Sequence, residues 1–184
     1  PLRRQRQMCI RDRFVDAFTG LRQGELLGLT WDCVDFEHQT LLINKQHNRA
    51  KGEKEFHFSS LKTEKVRSLT VTDEVMDALR RQQRRQAAWK AAAGELWSNP
   101  DNLVFTTEFG RYVNNKTLYM NFKRVMRSQG LSELRFHDLR HTFAVNSLKA
   151  GDDIKTVQEN LGHATASFTL STYAPVSYTH LRAH

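Results

Sequence analysis

The sequence predicts an α+β fold, mostly helical, with a small three-stranded antiparallel sheet near residues 34–71. Three observations carry this. Apolar residues recur at helical spacing in the second half, as at Leu118, Phe122, Val125 and Met126, and again at Ile154, Val157 and Leu161. Between Trp31 and Val71 the pattern shifts to period two and to β-forming residues. Gly20, Gly94, Gly130 and Gly151 fall where the helical patterns stop, as helix C-termini favour.

In chain order, a short helix over residues 14–18 ends at Gly20, and a second runs over 22–29. Strands are expected at 40–44, 55–58 and 66–71, with a turn over 61–65 between the last two. Thr72 suits an N-cap, and Asp73, Glu74 and Asp77 place negative charge where a helix start favours it. That helix runs to Ala93, and its Arg80, Arg81, Arg84 and Arg85 read as a solvated face. A loop over 97–100 and a buried extended piece, Leu103, Val104 and Phe105, precede a helix over 115–129. The next helix carries His137 and Arg140 and ends near Gly151; a last one buries Ile154, Val157 and Leu161.

At 184 residues and 39% hydrophobic, the chain can bury one sizeable core. No apolar run reaches the roughly 20 residues that a membrane span needs, and no signal-peptide pattern appears, so a cytoplasmic protein is expected. Cys9 and Cys33 lack metal-site or disulfide spacing and read as free thiols.

The formal net charge is +8. Five arginines against Asp12 give residues 1–13 a charge of +4, and Arg182 adds one more, which leaves +3 for residues 14–174. Residues 1–13 and 175–184 look like translated sequencing-adapter read-through and are expected to be non-native tails on a domain spanning 14–174. Bulk charge therefore says little about a partner, and specific residues must carry the functional reading.

The informative stretch is Arg135-Phe136-His137-Asp138-Leu139-Arg140-His141-Thr142-Phe143-Ala144. As a helix it puts Phe136, Leu139 and Phe143 on one face, with His137, Arg140 and Ala144 in a narrow arc beside it. A guanidinium fork next to an imidazole suits a phosphoryl oxyanion. Taken alone, His-x-x-Arg also fits an ordinary surface helix. Leu161-Gly162-His163 and Ser171-Thr172-Tyr173-Ala174 follow, and Thr19-Gly20-Leu21-Arg22-Gln23-Gly24-Glu25-Leu26 precedes, so two arginines, two histidines and a phenol form a coherent set.

In order and spacing these motifs resemble the catalytic domain of the tyrosine recombinases, the phage integrase family, over roughly residues 14–174. The resemblance implies a site-specific DNA recombinase of bacterial or phage origin that cuts and rejoins strands through a 3′-phosphotyrosyl intermediate, with no metal and no cofactor. It implies double-stranded DNA attachment sites as partner and a homotetramer on DNA. Carried over, Arg22 and Arg140 clamp the phosphate, His137 assists proton transfer, His163 bonds the phosphate or positions the nucleophile, and Tyr173 attacks. The family's lysine on a β-hairpin, the acid for the leaving 5′-oxygen, matches Lys62 in Lys-Thr-x-x-x-Arg, with Lys65 the neighbouring alternative. Where integrases often read Thr-Tyr-x-His, this chain has Pro175, which puts the segment after Tyr173 and assembly in doubt.

Two other readings remain at this level. Helices joined by a glycine turn also describe a helix-turn-helix, hence a DNA-binding regulator without catalysis. His137 and His141, at i and i+4, have metal-site spacing but no intervening Glu.

Overall fold

The computed structural model describes Val15 and residues 19–48, 57–60 and 66–162. The expected helix over 14–18 is visible only as helical Val15 and Thr19, where the Thr19 hydroxyl donates to the Val15 carbonyl at 2.7 Å. Gly20 then turns the chain at φ +63°. Helix α1 (Gln23–Gly28) starts from Arg22, whose backbone N–H is taken by the Glu25 carboxylate at 2.9 Å. Leu26 and Leu27 bury its inner face.

The sheet departs from expectation in membership. The three-stranded antiparallel sheet is β1 (Val34–Asp35), β2 (Thr40–Ile43) and β5 (Arg67–Thr70), in the order β1-β2-β5. The expected middle strand instead forms β4 (His57–Ser60), paired antiparallel with the unforeseen β3 (Lys45–Asn48) in a separate two-stranded ribbon. Length explains the split, because two-residue β1 lies beside β2 through the Asp35–Gln39 turn and leaves the opposite edge of β2 to β5. Strand β3 follows β2 almost directly and packs instead on α1: a Cβ on Gly28 would stand 3.0 Å from the His47 backbone nitrogen.

Helix α2 (Asp73–Ala93) follows Thr72 as expected and ends at Gly94. Its buried face includes two glutamines among apolar residues. Gln86 Nε2 donates to the Leu103 and Val104 carbonyls, both at 2.9 Å, and its Oε1 accepts from Trp31 Nε1 at 2.8 Å. Gln82 Nε2 reaches the Val104 carbonyl at 3.0 Å. These bonds satisfy the backbone of a buried extended segment that belongs to no sheet, which is why polar residues are tolerated there.

Helices α3 (Asn115–Ser128), α4 (Phe136–Ala150) and α5 (Ile154–Leu161) complete the described fold. Asn114 and Asp153 cap α3 and α5 by accepting N–H bonds, and Gly151 closes α4 at φ +100°. The main core joins α1, the sheet, α2 and α3 through Leu27, Leu41, Leu79, Phe105 and Phe122. A satellite cluster of Ala144, Val157 and Leu161 joins α4 to α5. No helix of the described residues is long and apolar enough to cross a membrane.

Gly20 sits where the two clusters meet. A Cβ there would stand 2.6 Å from Phe143 Cδ1 and 2.9 Å from Leu161 Cδ2, in a backbone conformation that already penalises side chains. Gly20→Ala is expected to destabilise the fold by about 2 kcal/mol. A urea melt should show a lower midpoint at unchanged slope; an unchanged midpoint would contradict this packing.

Candidate active site

Helix α4 positions the central side chains. Phe136 anchors its first turn in the main core, edge-on to Phe122 at 5.5 Å, and Leu139 packs on the same core. Ahead of it, Arg135 and Asp138 lock the helix start. Asp138 accepts the Arg135 backbone N–H at 2.8 Å and its guanidinium at 3.1 Å.

The arc holding His137 and Arg140 divides differently from the sequence expectation. His137 is exposed and stands edge to face with His141, ring centroids 4.9 Å apart. Arg140 is only 2% exposed, and Ala144 is buried entirely. The Arg140 guanidinium reaches across the fold, with Nη1 donating to the Gly20 carbonyl at 2.8 Å and Nη2 donating to the Leu161 carbonyl.

Leu161 is one of three successive carbonyls at the end of α5 that take arginine donors. Arg67 Nε donates to Asn160 O at 2.9 Å, Arg140 Nη2 to Leu161 O, and Arg22 Nη2 to Gly162 O at 3.3 Å. Terminal carbonyls of a helix lack intrahelical partners and carry the negative end of its dipole, so cations are suited to them.

A single carboxylate ties two of these arginines together. Glu25, with no exposed side-chain surface, accepts Arg67 at both oxygens (3.0 and 2.8 Å) and Arg22 Nη1 at 3.1 Å. Burial alone would raise its pKa. The Arg67 hydrogen bonds and charge, joined by the Arg22 N–H and charge, outweigh that and hold the carboxyl below 4.5.

Arg22, His137 and Arg140 line one cleft of about 460 Å³. Gln23, Gln46, Asn115, Tyr119 and Arg135 supply most of its other polar wall. Among the described residues no carboxylate lines it, whereas three arginines and a histidine do. The arrangement fits a phosphate-sized anion. None of Arg80, Arg81, Arg84 or Arg85 borders the cleft. Arg80 is held by Asp77 at 3.0 Å and lies over the Phe36 ring, and Arg85 lies over Trp89.

Of the residues singled out from the sequence, the structure thus brings together Arg22, His137 and Arg140. Lys62, its alternative Lys65, His163 and Tyr173 lie outside the described residues. Glu25 and Arg67 were present in the quoted motifs without a role. Their signal was patterning: Glu25 falls beside Leu26 and Leu27 in the buried part of α1, and Arg67 alternates with buried Leu69 along β5. A charge on an apolar face needs a partner, and here each supplies the other.

Electropositive crowding also sets the protonation of His137. The protein around its ring partly desolvates it, and His141, Arg140 and Arg22 add like charge, with Asp138 opposing weakly; its pKa falls below 6.5. Folding therefore disfavours the protonated form: this group's contribution to stability is present above pH 6.5 and lost as pH falls through the lowered midpoint. Followed by imidazole NMR, His137 should titrate below 6.5 and move upward when inorganic phosphate is added. A midpoint at or above 6.5 without anion would contradict a cationic cleft.

Comparison with known proteins identifies the family. The model of the phage integrase family matches residues 15–180. A tyrosine recombinase XerC-like protein of Caldanaerobacter subterraneus subsp. tengcongensis is 33% identical over 174 residues, covering 89% of this chain and 44% of the relative. Tyrosine recombinase XerC of Alcanivorax borkumensis is 30% identical over 164 residues, covering 88% and 46%. The Tn1549 transposon integrase, solved in complex with transposon right end DNA, has a TM-score of 0.76 at 25% identity, over 96% of this chain and 60% of that one. The chain spans somewhat under half the length of these two curated relatives. With a family match over most of its length, this chain belongs to the phage integrase family, the tyrosine recombinases.

Proposed function

We propose that this chain is the catalytic part of a site-specific DNA recombinase, residues 14–174 forming the unit, which cuts and rejoins strands through a 3′-phosphotyrosyl intermediate. The observation that supports it best is the convergence of Arg22 and Arg140, 118 positions apart in the sequence, beside His137 on one cleft that no carboxylate lines among the described residues.

A phosphodiester resists attack because it is already anionic, and charge grows on its non-bridging oxygens in the transition state. Arg22 and Arg140 bind those oxygens; a fixed donor of this kind is worth about 10²–10³ in rate. An unperturbed phenol has a pKa near 10 and needs a base beside it. His137, kept neutral at pH 7 by its surroundings, accepts the proton as the Tyr173 oxygen bonds to phosphorus. The bond to the 5′-oxygen breaks, and Lys62 gives that oxygen a proton. His163 bonds the phosphate or aligns Tyr173. The new phosphodiester to tyrosine conserves the energy of the old one, so the 5′-hydroxyl of a partner strand reverses the step without ATP. On this reading the substrate is double-stranded DNA at attachment sites, and four protomers act on two duplexes.

The test uses duplexes nicked so that the short leaving strand diffuses away, randomised in sequence around the nick. Incubated with this pool, the chain should form a denaturation-resistant adduct that mass spectrometry places on Tyr173. Tyr173→Phe should abolish the adduct and hold DNA affinity within about threefold, because one phenol is a small part of a phosphate-dominated interface. An adduct on Tyr112, Tyr119 or Tyr178 would overturn the assignment. DNA binding with no adduct from the parent chain would favour the non-catalytic helix-turn-helix regulator.

A further inference from the structure

Arg67 belongs to β5 and does not line the cleft, yet its contacts close a circuit that holds Arg22, which does. Its Nη1 and Nη2 hold both oxygens of Glu25 at 3.0 and 2.8 Å. Glu25 in turn holds the Arg22 backbone N–H at 2.9 Å and Nη1 at 3.1 Å, and Arg22 Nη2 donates to Gly162 O at 3.3 Å. Two residues back along the chain, Asn160 O accepts from Arg67 Nε at 2.9 Å, and the ring is complete.

Space as well as charge is committed. A Cβ on Gly162 would stand 2.7 Å from Arg67 Nη1 and 2.9 Å from its Cζ, so the chain passes against the guanidinium at a position where φ is +64°. The Arg67 side chain is 9% exposed and the Glu25 side chain not at all. A lysine in that place keeps the charge but has no planar fork to grip two carboxylate oxygens and a carbonyl at once.

We propose that Arg67 is a positioning residue for the cleft: by gripping Glu25 and Asn160 together it fixes the Arg22 guanidinium against the end of α5 in the geometry that meets the phosphate. This rests on the recombinase reading for its chemical consequence, and on the hydrogen-bonded circuit alone for its structural one. Arg67 touches no substrate; it acts through Arg22. Misplacing a clamp by a fraction of its reach weakens the transition state far more than it weakens DNA binding, which draws on many phosphates.

The experiment has two arms on the whole chain. In the first, single-turnover adduct formation on a nicked duplex recovered from the pool is compared with DNA affinity for the parent and Arg67→Lys. The rate should drop about tenfold to a hundredfold per folded molecule while affinity stays within about threefold. A rate that falls only in proportion to the folded fraction would overturn the proposal. In the second arm, NMR follows the Arg22 side-chain nitrogens without DNA: distinct, slowly exchanging Nη signals should be present in the parent and averaged in Arg67→Lys. Arg22 signals that do not change would overturn the circuit. A parent chain that forms no adduct defeats the recombinase reading, and the second arm then decides the structural claim by itself. If Arg67→Lys does not fold, Gly162→Ala takes its place with the same thresholds, since it crowds the guanidinium while retaining every charge.

Discussion

The last turn of α5 ends in three consecutive carbonyls, at Asn160, Leu161 and Gly162, each taking a guanidinium from a different part of the chain. Arg67 arrives from the sheet, Arg140 from the neighbouring helix, and Arg22 from the start of α1. Several helix ends are closed locally, the starts of α3 and α5 by Asn114 and Asp153 and the ends of α4 and α5 by left-handed Gly151 and Gly162. At the end of α5 the arginines add a long-range closure, which ties that helix to the sheet, to α4 and to the start of α1. The cleft is a consequence of that convergence.

Gathering three arginines in a small space would be unfavourable without compensation. The helix dipole and its unpaired carbonyls supply part of it. Glu25 supplies the rest, as a buried carboxylate bonded by two of the three. Removing one member of such a group leaves the others buried and uncompensated, a cost of about 3–5 kcal/mol in other buried pairs. Arg140 illustrates the overlap between architecture and chemistry. It lines the cleft, yet it also joins Gly20 to Leu161 across the meeting point of the two hydrophobic clusters. Loss of function on truncating Arg140 would therefore report on the fold together with the chemistry, whereas His137, exposed and bonded to neither cluster, separates them cleanly.

Most of the fold was legible because its signals are local. The helical spacing of Leu118, Phe122 and Met126, the charge at the start of α2 and the glycines at helix ends each act within a few residues. Strand pairing was less legible, since β3 contains Lys45, Gln46, His47 and Asn48 and has no alternating apolar face; its partnership with β4 and its packing on Gly28 are tertiary. The same division holds in the site. Motif wording singled out Arg22, His137 and Arg140, but the burial of Arg140 and the roles of Glu25 and Arg67 depend on contacts 21 to 120 residues apart. The available clue was a charged residue on an apolar face, which says that a partner exists without naming it.

The central claim is that this cleft is built before DNA arrives, so that its arginines need no rearrangement to hold a phosphate. The most direct measurement is a crystal structure of the chain soaked with tungstate, whose tetrahedral oxyanion stands in for the phosphodiester. The account predicts anion density bonded by Arg22, His137 and Arg140, with Arg140 still donating to Gly20 and Leu161 and Arg22 still paired with Glu25. Anion bound elsewhere, or bound only after Arg140 has left those carbonyls, would contradict it.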